Sequence, residues 1–180
     1  MPSREYHSRL FRVALVPVAL IVLGAFALSA AAILENLRFA GATSQILGFV
    51  RMVRLFVNEQ KTYSLGMGED VWATMVRVQQ IPESVAQVNP WGGKIRVIAT
   101  STTEMSFESD LPAQDCRRMV LYFGGLDSEK SGIISIAARS DLAPTWSVVY
   151  PAPADKQVAT AEESCGPTKR SYLALVFKVK

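Results

Sequence analysis

The sequence predicts an α+β fold in which a long N-terminal helix packs on an antiparallel sheet, and three observations predict it. An uncharged run from Val13 to Leu34 leads without a break into apolar residues at helical spacing, Ile46, Phe49 or Val50, Val53 and Phe56. Behind it come short segments of alternating or continuous apolar residues, such as Lys94–Val97, Met105–Glu108 and Tyr172–Val179, separated by glycine and proline turns. Helical patterns gather ahead of the strands instead of alternating with them one for one, which is the ordering of an α+β roll.

The Val13–Leu34 run is about 22 residues long, at or above the roughly 20 that a helix needs to cross a bilayer. Arg4, Arg9 and Arg12 precede it, with only Glu5 opposing them. Positive residues flanking a first apolar helix stay on the cytoplasmic side, so the rest of the chain is expected outside the cytoplasm. The expected division is residues 1–12 as a basic cytoplasmic leader, 13–34 as a transmembrane helix and 35–180 as one extracytoplasmic domain. A second reading stays open. The leader, the apolar run to Leu28 and the small residues Ser29-Ala30-Ala31-Ala32 also fit a cleaved secretory signal peptide. Gly24, Ala27 and Ala31 form a small-residue stripe on which another membrane helix can pack closely, and Pro17 removes an N–H one turn inside the run.

From Glu35 the helix turns amphipathic, with Arg51 and Arg54 beside its apolar stripe and Gly41 and Gly48 each weakening it by about 1 kcal/mol relative to alanine. The pattern fades at Asn58-Glu59-Gln60, and Tyr63–Gly68 reads as a turn-rich link. Glu69-Asp70 suit the N-terminus of a short second helix carrying Val71, Trp72, Met75 and Val78, which Ile81-Pro82 is expected to stop.

Asn89-Pro90-Trp91-Gly92-Gly93 is a structural turn, because proline fixes one φ and the two glycines permit positive φ. A hairpin follows, Lys94–Val97 with Met105–Glu108 around Ser101-Thr102-Thr103. Leu111-Pro112 opens a helix over Ala113–Phe123 with Cys116, Met119, Val120 and Phe123 on one face, capped by Gly124-Gly125. Ile133–Ile136 and Trp146–Tyr150 read as strands. Pro151 and Pro153 break the second, Ala154–Ser164 reads as a surface loop, and Tyr172–Val179 is the closing strand.

The chain holds two cysteines, Cys116 and Cys165, both in the part expected outside the cytoplasm, where oxidising conditions permit a bond between them. Two separately buried thiols are the alternative. The formal charge of +3 is concentrated before the apolar run, and no block of like charges offers a phosphate-binding stripe, so nucleic acid is not an expected partner. The single histidine is His7, which leaves the outer domain no histidine for a catalytic triad, a Cys-His dyad or a metal site. No phosphate loop or dinucleotide fingerprint occurs, so no cofactor or metal is expected. Carboxylates remain: Glu69-Asp70, Glu108 with Asp110, and Glu162-Glu163. An enzyme working with these alone would need two of them about 5–10 Å apart in a cleft. Trp72, Trp91 and Trp146 suit a sugar or partner surface, although core or turn packing is the commoner fate of tryptophan.

The order Ile46-Leu47-Gly48-Phe49-Val50-Arg51, Tyr63, Ile81-Pro82-Glu83-Ser84, Asn89-Pro90-Trp91-Gly92-Gly93, Leu111-Pro112 with Cys116, and Cys165 before a final strand resembles type IVb pilins of the PilS-like kind. The resemblance runs from about Glu35 to Lys180 and is most specific at the Asn-Pro-Trp-Gly-Gly turn and the proline-cysteine helix start. It implies a pilin-like roll, with the N-terminal helix at the centre of a filament and a disulfide bounding a C-terminal surface region. The N-terminus departs from the family, whose members carry a leader ending in glycine, cut by a prepilin peptidase, and an early glutamate in the mature helix. Here no glycine heads the apolar run and no acid falls between Val13 and Leu34. An uncleaved, anchored subunit is therefore expected.

The expected function is that of a structural subunit in the bacterial inner membrane. Gly24, Ala27 and Ala31 would pack against neighbouring helices, Ile46, Val50, Val53 and Phe56 would dock the head, and Cys116 with Cys165 would lock the outer region. Other pilin-like subunits and the pilus assembly machinery are the expected partners, in a filament or a secretion or conjugation apparatus. A secreted or periplasmic binding module is the competing reading.

Overall fold

The computed structural model describes residues 3–59, 65–167 and 169–179, with backbone only for residues 3–27, 154 and 155. The chain divides into two compact units, Met1–Ala40 and Gly41–Lys180. Helix α1 spans Ser3–Glu59 and contributes to each. In the first unit, Leu28, Ile33, Leu34 and Leu37 are exposed. Among the described residues no helix is long and apolar enough to cross a membrane. The expected span, residues 13–34, falls mostly on side chains outside the described set, as do Gly24 and Ala27; Tyr63 in the link also lies outside it.

The second unit is built on one sheet of five strands: β1 (Ile95–Ala99), β2 (Glu104–Pro112), β3 (Ile133–Ser140), β4 (Ser147–Tyr150) and β5 (Arg170–Lys178). Their order is β1-β2-β5-β3-β4, and every neighbouring pair is antiparallel. The register fixes which side chains share a face, because successive residues of a strand point to opposite sides. Val97 stands opposite Phe107, Phe107 opposite Leu175 and Leu175 opposite Ile136, so one buried row crosses four strands. Ala99, Met105, Phe177 and Ile133 form a second row beside it. The strand latest in the chain, β5, lies at the sheet's centre, and its Leu173-Ala174-Leu175 are buried in succession.

Residues 41–59 of α1 cover the inner face together with α2 (Val71–Arg77) and α3 (Ala113–Gly124). Phe49 of α1 stacks on Trp72 with ring centroids 5.2 Å apart and meets Phe107 edge-on at 6.1 Å. Ile46, Met119, Phe107 and Leu175 line one small apolar cavity, which places α1 and α3 on the same side of the sheet. α3 keeps its expected bounds: Pro112 precedes its first turn, and Cys116, Met119, Val120 and Phe123 are buried on one face.

Two expectations need correction, and one short helix is additional. α2 ends at Arg77, before Ile81-Pro82, because Gln79 adopts a positive φ of 60° and the N–H groups of Gln80 and Ile81 both turn back to the Met75 carbonyl. A one-turn helix, α4 (Ser128–Ser131), was not foreseen; Asp127 caps it by accepting from the N–H groups of Glu129 and Lys130.

The expected surface loop at Ala154–Ser164 is a helix, α5 (Ala154–Cys165). Pro153 starts it, since a proline needs no N–H partner there and its carbonyl accepts from Lys156 and Gln157. Gln157, Ala161, Ser164 and Cys165 are its buried residues, at i, i+4, i+7 and i+8. The stripe has helical spacing but is built of small and polar side chains.

Candidate functional site

Four features of the second unit bear on function, the first being the helix seam. Ala42, Ile46, Phe49, Val50, Val53 and Val57 are buried along one stripe of α1. Of the residues expected to dock the head, Ile46, Val50 and Val53 are buried and Phe56 is half-buried, and Val57 ends the stripe. Val57 sits four residues after Val53 and returns to its face. Ala31, in the first unit, is exposed. Polar contacts flank the stripe: Gln45 Nε2 donates to the Val88 carbonyl at 3.1 Å, and Arg54 reaches the carbonyls of Ser131 and Lys178. Partial burial pushes the Arg54 guanidinium below its ordinary pKa.

The second feature is the turn at Asn89–Gly93, which the buried Asn89 side chain organises. Its Oδ1 accepts from the N–H groups of Trp91 and Gly93, both at 2.9 Å, while Nδ2 donates to Ser109 Oγ at 2.8 Å and the Asp110 carbonyl at 2.6 Å. Gly92 takes φ +76°, and a Cβ on Gly93 would fall on the Asp110 carbonyl oxygen. Gly41 of α1 faces Pro90, with 3.6 Å between the position of a Cβ and the ring. Asn89, Pro90, Trp91, Gly92 and Gly93 thus join α1 to the edge of the sheet.

Cys116 and Cys165 form the third feature, a disulfide between α3 and α5 with Cα atoms 5.9 Å apart, and both cysteines are fully buried. The Cys165 carbonyl accepts from Ser171 Oγ, carrying the link into β5.

The fourth feature is the outer face of the sheet, of which sequence reasoning named Trp146 and the carboxylates Glu108 and Asp110 but not their arginine and tyrosine neighbours. Asp110 pairs with Tyr172, and Tyr172 with Arg139, so these side chains share a row across β2, β5 and β3. The Arg139 guanidinium carbon lies 4.1 Å from the Tyr172 ring centroid and 5.2 Å from that of Trp146. Cation–π attraction holds it there. Arg170 Nη2 meets Asp110 Oδ2 at 2.8 Å, and Arg96 approaches Glu108 at 3.9 Å. Apart from Arg170, these groups line a shallow cleft with Lys94 at one end and Trp146 at the other. Alternate polar positions on β2 and β5 were the available signal, readable only once the strand pairing is known. Of the other tryptophans, Trp72 is in the core and Trp91 is half-buried in its turn.

The remaining carboxylates have local roles. Asp70 caps α2, Glu69 accepts from Gly66 N–H and Thr74 Oγ1, and Glu162 and Glu163 are exposed on α5. Glu108 and Asp110, two apart on β2, stand about 7 Å apart along the strand, a spacing that glycosidases use. Each faces an arginine. Among the described residues no group of three His, Cys, Asp or Glu side chains is placed to hold a metal ion. Compared with known proteins, the chain matches no family model, no curated protein and no solved structure.

Proposed function

We propose that this chain is a pilin-like structural subunit. The Val13–Leu34 segment anchors it in the bacterial inner membrane, with the N-terminus in the cytoplasm and the second unit in the periplasm or on the cell surface. It assembles with other pilin-like subunits into a type IV pilus-like filament, or serves a secretion or conjugation apparatus, without catalytic turnover. The observation that carries this reading is how α1 is used. Residues 41–59 give one stripe to the inner face of an antiparallel sheet, while their other flank stays open. On that flank Leu55 is 53% exposed, Arg51 is exposed and nothing lies within 4 Å of where a Gly48 Cβ would stand. A helix docked on one side and bare on the other can be shared with a neighbour. The resemblance to type IVb pilins in the Asn89–Gly93 turn and the Cys116 helix supports the same reading.

Membrane fractionation with N-terminal sequencing and cross-linking tests it. The full chain, produced in a Gram-negative host, is expected in the carbonate-resistant membrane pellet with an uncut N-terminus. Variants with cysteine at Leu55 are expected to give disulfide-linked multimers on mild oxidation. A soluble monomer starting near Ala31–Ile33 would instead support a secreted or periplasmic binding module, the second reading, which the outer-face cleft favours.

A further inference from the structure

We propose that the outer-face cleft binds a carboxylate-bearing glycan, with Arg139 and Arg96 gripping the acid groups and Glu108 and Asp110 accepting hydrogen bonds from its hydroxyls. The cleft mixes cationic donors with carboxylate acceptors. Lys94, Arg96 and Arg139 offer donors, while Glu108 and Asp110 offer acceptors. Arg170, outside the cleft lining, pairs with Asp110, so the three lining cations outweigh the lining carboxylates and the local field favours an anion.

The arginine best suited to a carboxylate is already oriented. Tyr172 and Trp146 hold Arg139 by its faces, and its Nη1 donates to the Ala143 carbonyl at 3.3 Å. The side-chain entropy that binding would otherwise cost is thereby reduced, and a fixed guanidinium offers a carboxylate paired donors that an ammonium cannot. Arg96 remains 70% exposed and forms only a long contact of 3.9 Å with Glu108, so it is free to turn towards a ligand. Trp146 is 39% exposed and adds an apolar platform at the end of the row.

The carboxylates decide between ligand classes. An acidic peptide brings acceptors to Glu108 and Asp110, which also need donors, and like charges facing one another are repelled. A uronate chain carries hydroxyl donors and a carboxylate on each sugar, matching both sets. A filament subunit and a secreted module could both present this face, and neither anchoring nor assembly is needed for it to bind.

The test uses the full chain in detergent micelles, titrated calorimetrically with an oligogalacturonate, an uncharged oligogalactoside and an oligoglutamate peptide of equal charge. Saturable binding of the oligogalacturonate is expected, weakening as salt rises. The other two probes should bind at least about tenfold more weakly, a difference of about 1.4 kcal/mol. Arg139→Lys, which keeps the charge but loses the fork, and Arg96→Glu, at an exposed position that folding does not require, should each weaken the oligogalacturonate by about tenfold or more. No saturable binding at millimolar oligogalacturonate would overturn the proposal. So would equal binding of the uncharged sugar, binding of both variants at wild-type strength, or oligoglutamate binding as tightly, which would make the face a peptide interface.

Discussion

Arg54 donates two hydrogen bonds to the carbonyl oxygen of Lys178, from Nε at 2.9 Å and Nη2 at 2.7 Å, and so ties α1 to the end of the central strand β5. Nη2 also reaches the Ser131 carbonyl at 2.8 Å, just ahead of Gly132. Gly132 has φ +69°, and a Cβ there would displace Nη2. Arg54→Ala is expected to cost about 2 kcal/mol, since bonds from a charged donor are worth about 1.5–3 kcal/mol and this one is only partly shielded from water. Gly132→Ala should cost a similar amount, from its positive φ and from expelling the guanidinium. The double variant should fall well short of the sum in chemical denaturation, because both changes remove the same bonds. Full additivity would mean that the clamp is not a unit.

The turn at Asn89–Gly93 predicts an order of sensitivity. Gly93→Ala forces backbone apart at Asp110 and should be the most damaging, costing more than about 2 kcal/mol. Gly92→Ala meets open space and strains only its φ, which costs about 1–2 kcal/mol, and Gly92→Asn should cost less because asparagine tolerates that region. Asn89→Ala leaves the buried turn without its four bonds and should approach Gly93→Ala. Thermal melts of the four variants check the ranking.

The disulfide closes 49 residues, for which the chain-entropy model gives about 4 kcal/mol. Cys165→Ala should lower the melting temperature by many degrees under oxidising conditions. With excess reductant the wild type should fall to meet it. Equal melting of the two chains without reductant would count against a stabilising bond.

How far each element could be read depended on whether its signal was local and apolar. The α1 stripe, the hairpin of β1 with β2 and the Cys116 face of α3 carry apolar residues at fixed periods, so their places followed from spacing. Phe56 and Val57, neighbouring apolar residues at a helix end, fit the period almost equally, and only the sheet beneath α1 shows that Val57 is the more deeply buried. The central place of β5 was hidden, since strand order depends on long-range pairing. The clustering of Arg139, Trp146 and Tyr172 was hidden with it, because those residues come from three separate segments. Arg54 was visible as a charge beside a stripe, but its carbonyl partners are backbone atoms and leave no mark on the sequence.

The stripe itself predicts a contrast within α1. Phe49 touches both Trp72 and Phe107, so Phe49→Ala should cost about 3–5 kcal/mol. Phe56→Ala, at a half-buried position, should cost clearly less than Phe49→Ala, and Val57→Ala should cost about 2 kcal/mol through its two lost methyl groups and the space they leave. Urea denaturation of the three variants checks this, and a Phe56→Ala cost as large as that of Phe49→Ala would count against the register.

The helix α5 offers the sharpest check on the fold, because a surface loop and a packed helix respond differently to one substitution, with a second as control. Ala161 is 1% exposed, and its stripe includes Gln157, whose Nε2 donates to the Ala152 carbonyl, and Cys165, bonded to α3. Gln157 also packs where Gly124 lacks a side chain, so little room is left between the two helices. Ala161→Leu should therefore overpack the contact and cost about 1–3 kcal/mol. Val158, three residues earlier, is 44% exposed, and Val158→Ser should stay within about 0.5 kcal/mol of the wild type. In a solvated loop an added leucine at 161 would be harmless. Hydrogen exchange gives an independent reading, since the amides after the first turn of α5 should be protected in a helix held by the disulfide and should lose that protection in Ala161→Leu before the sheet does.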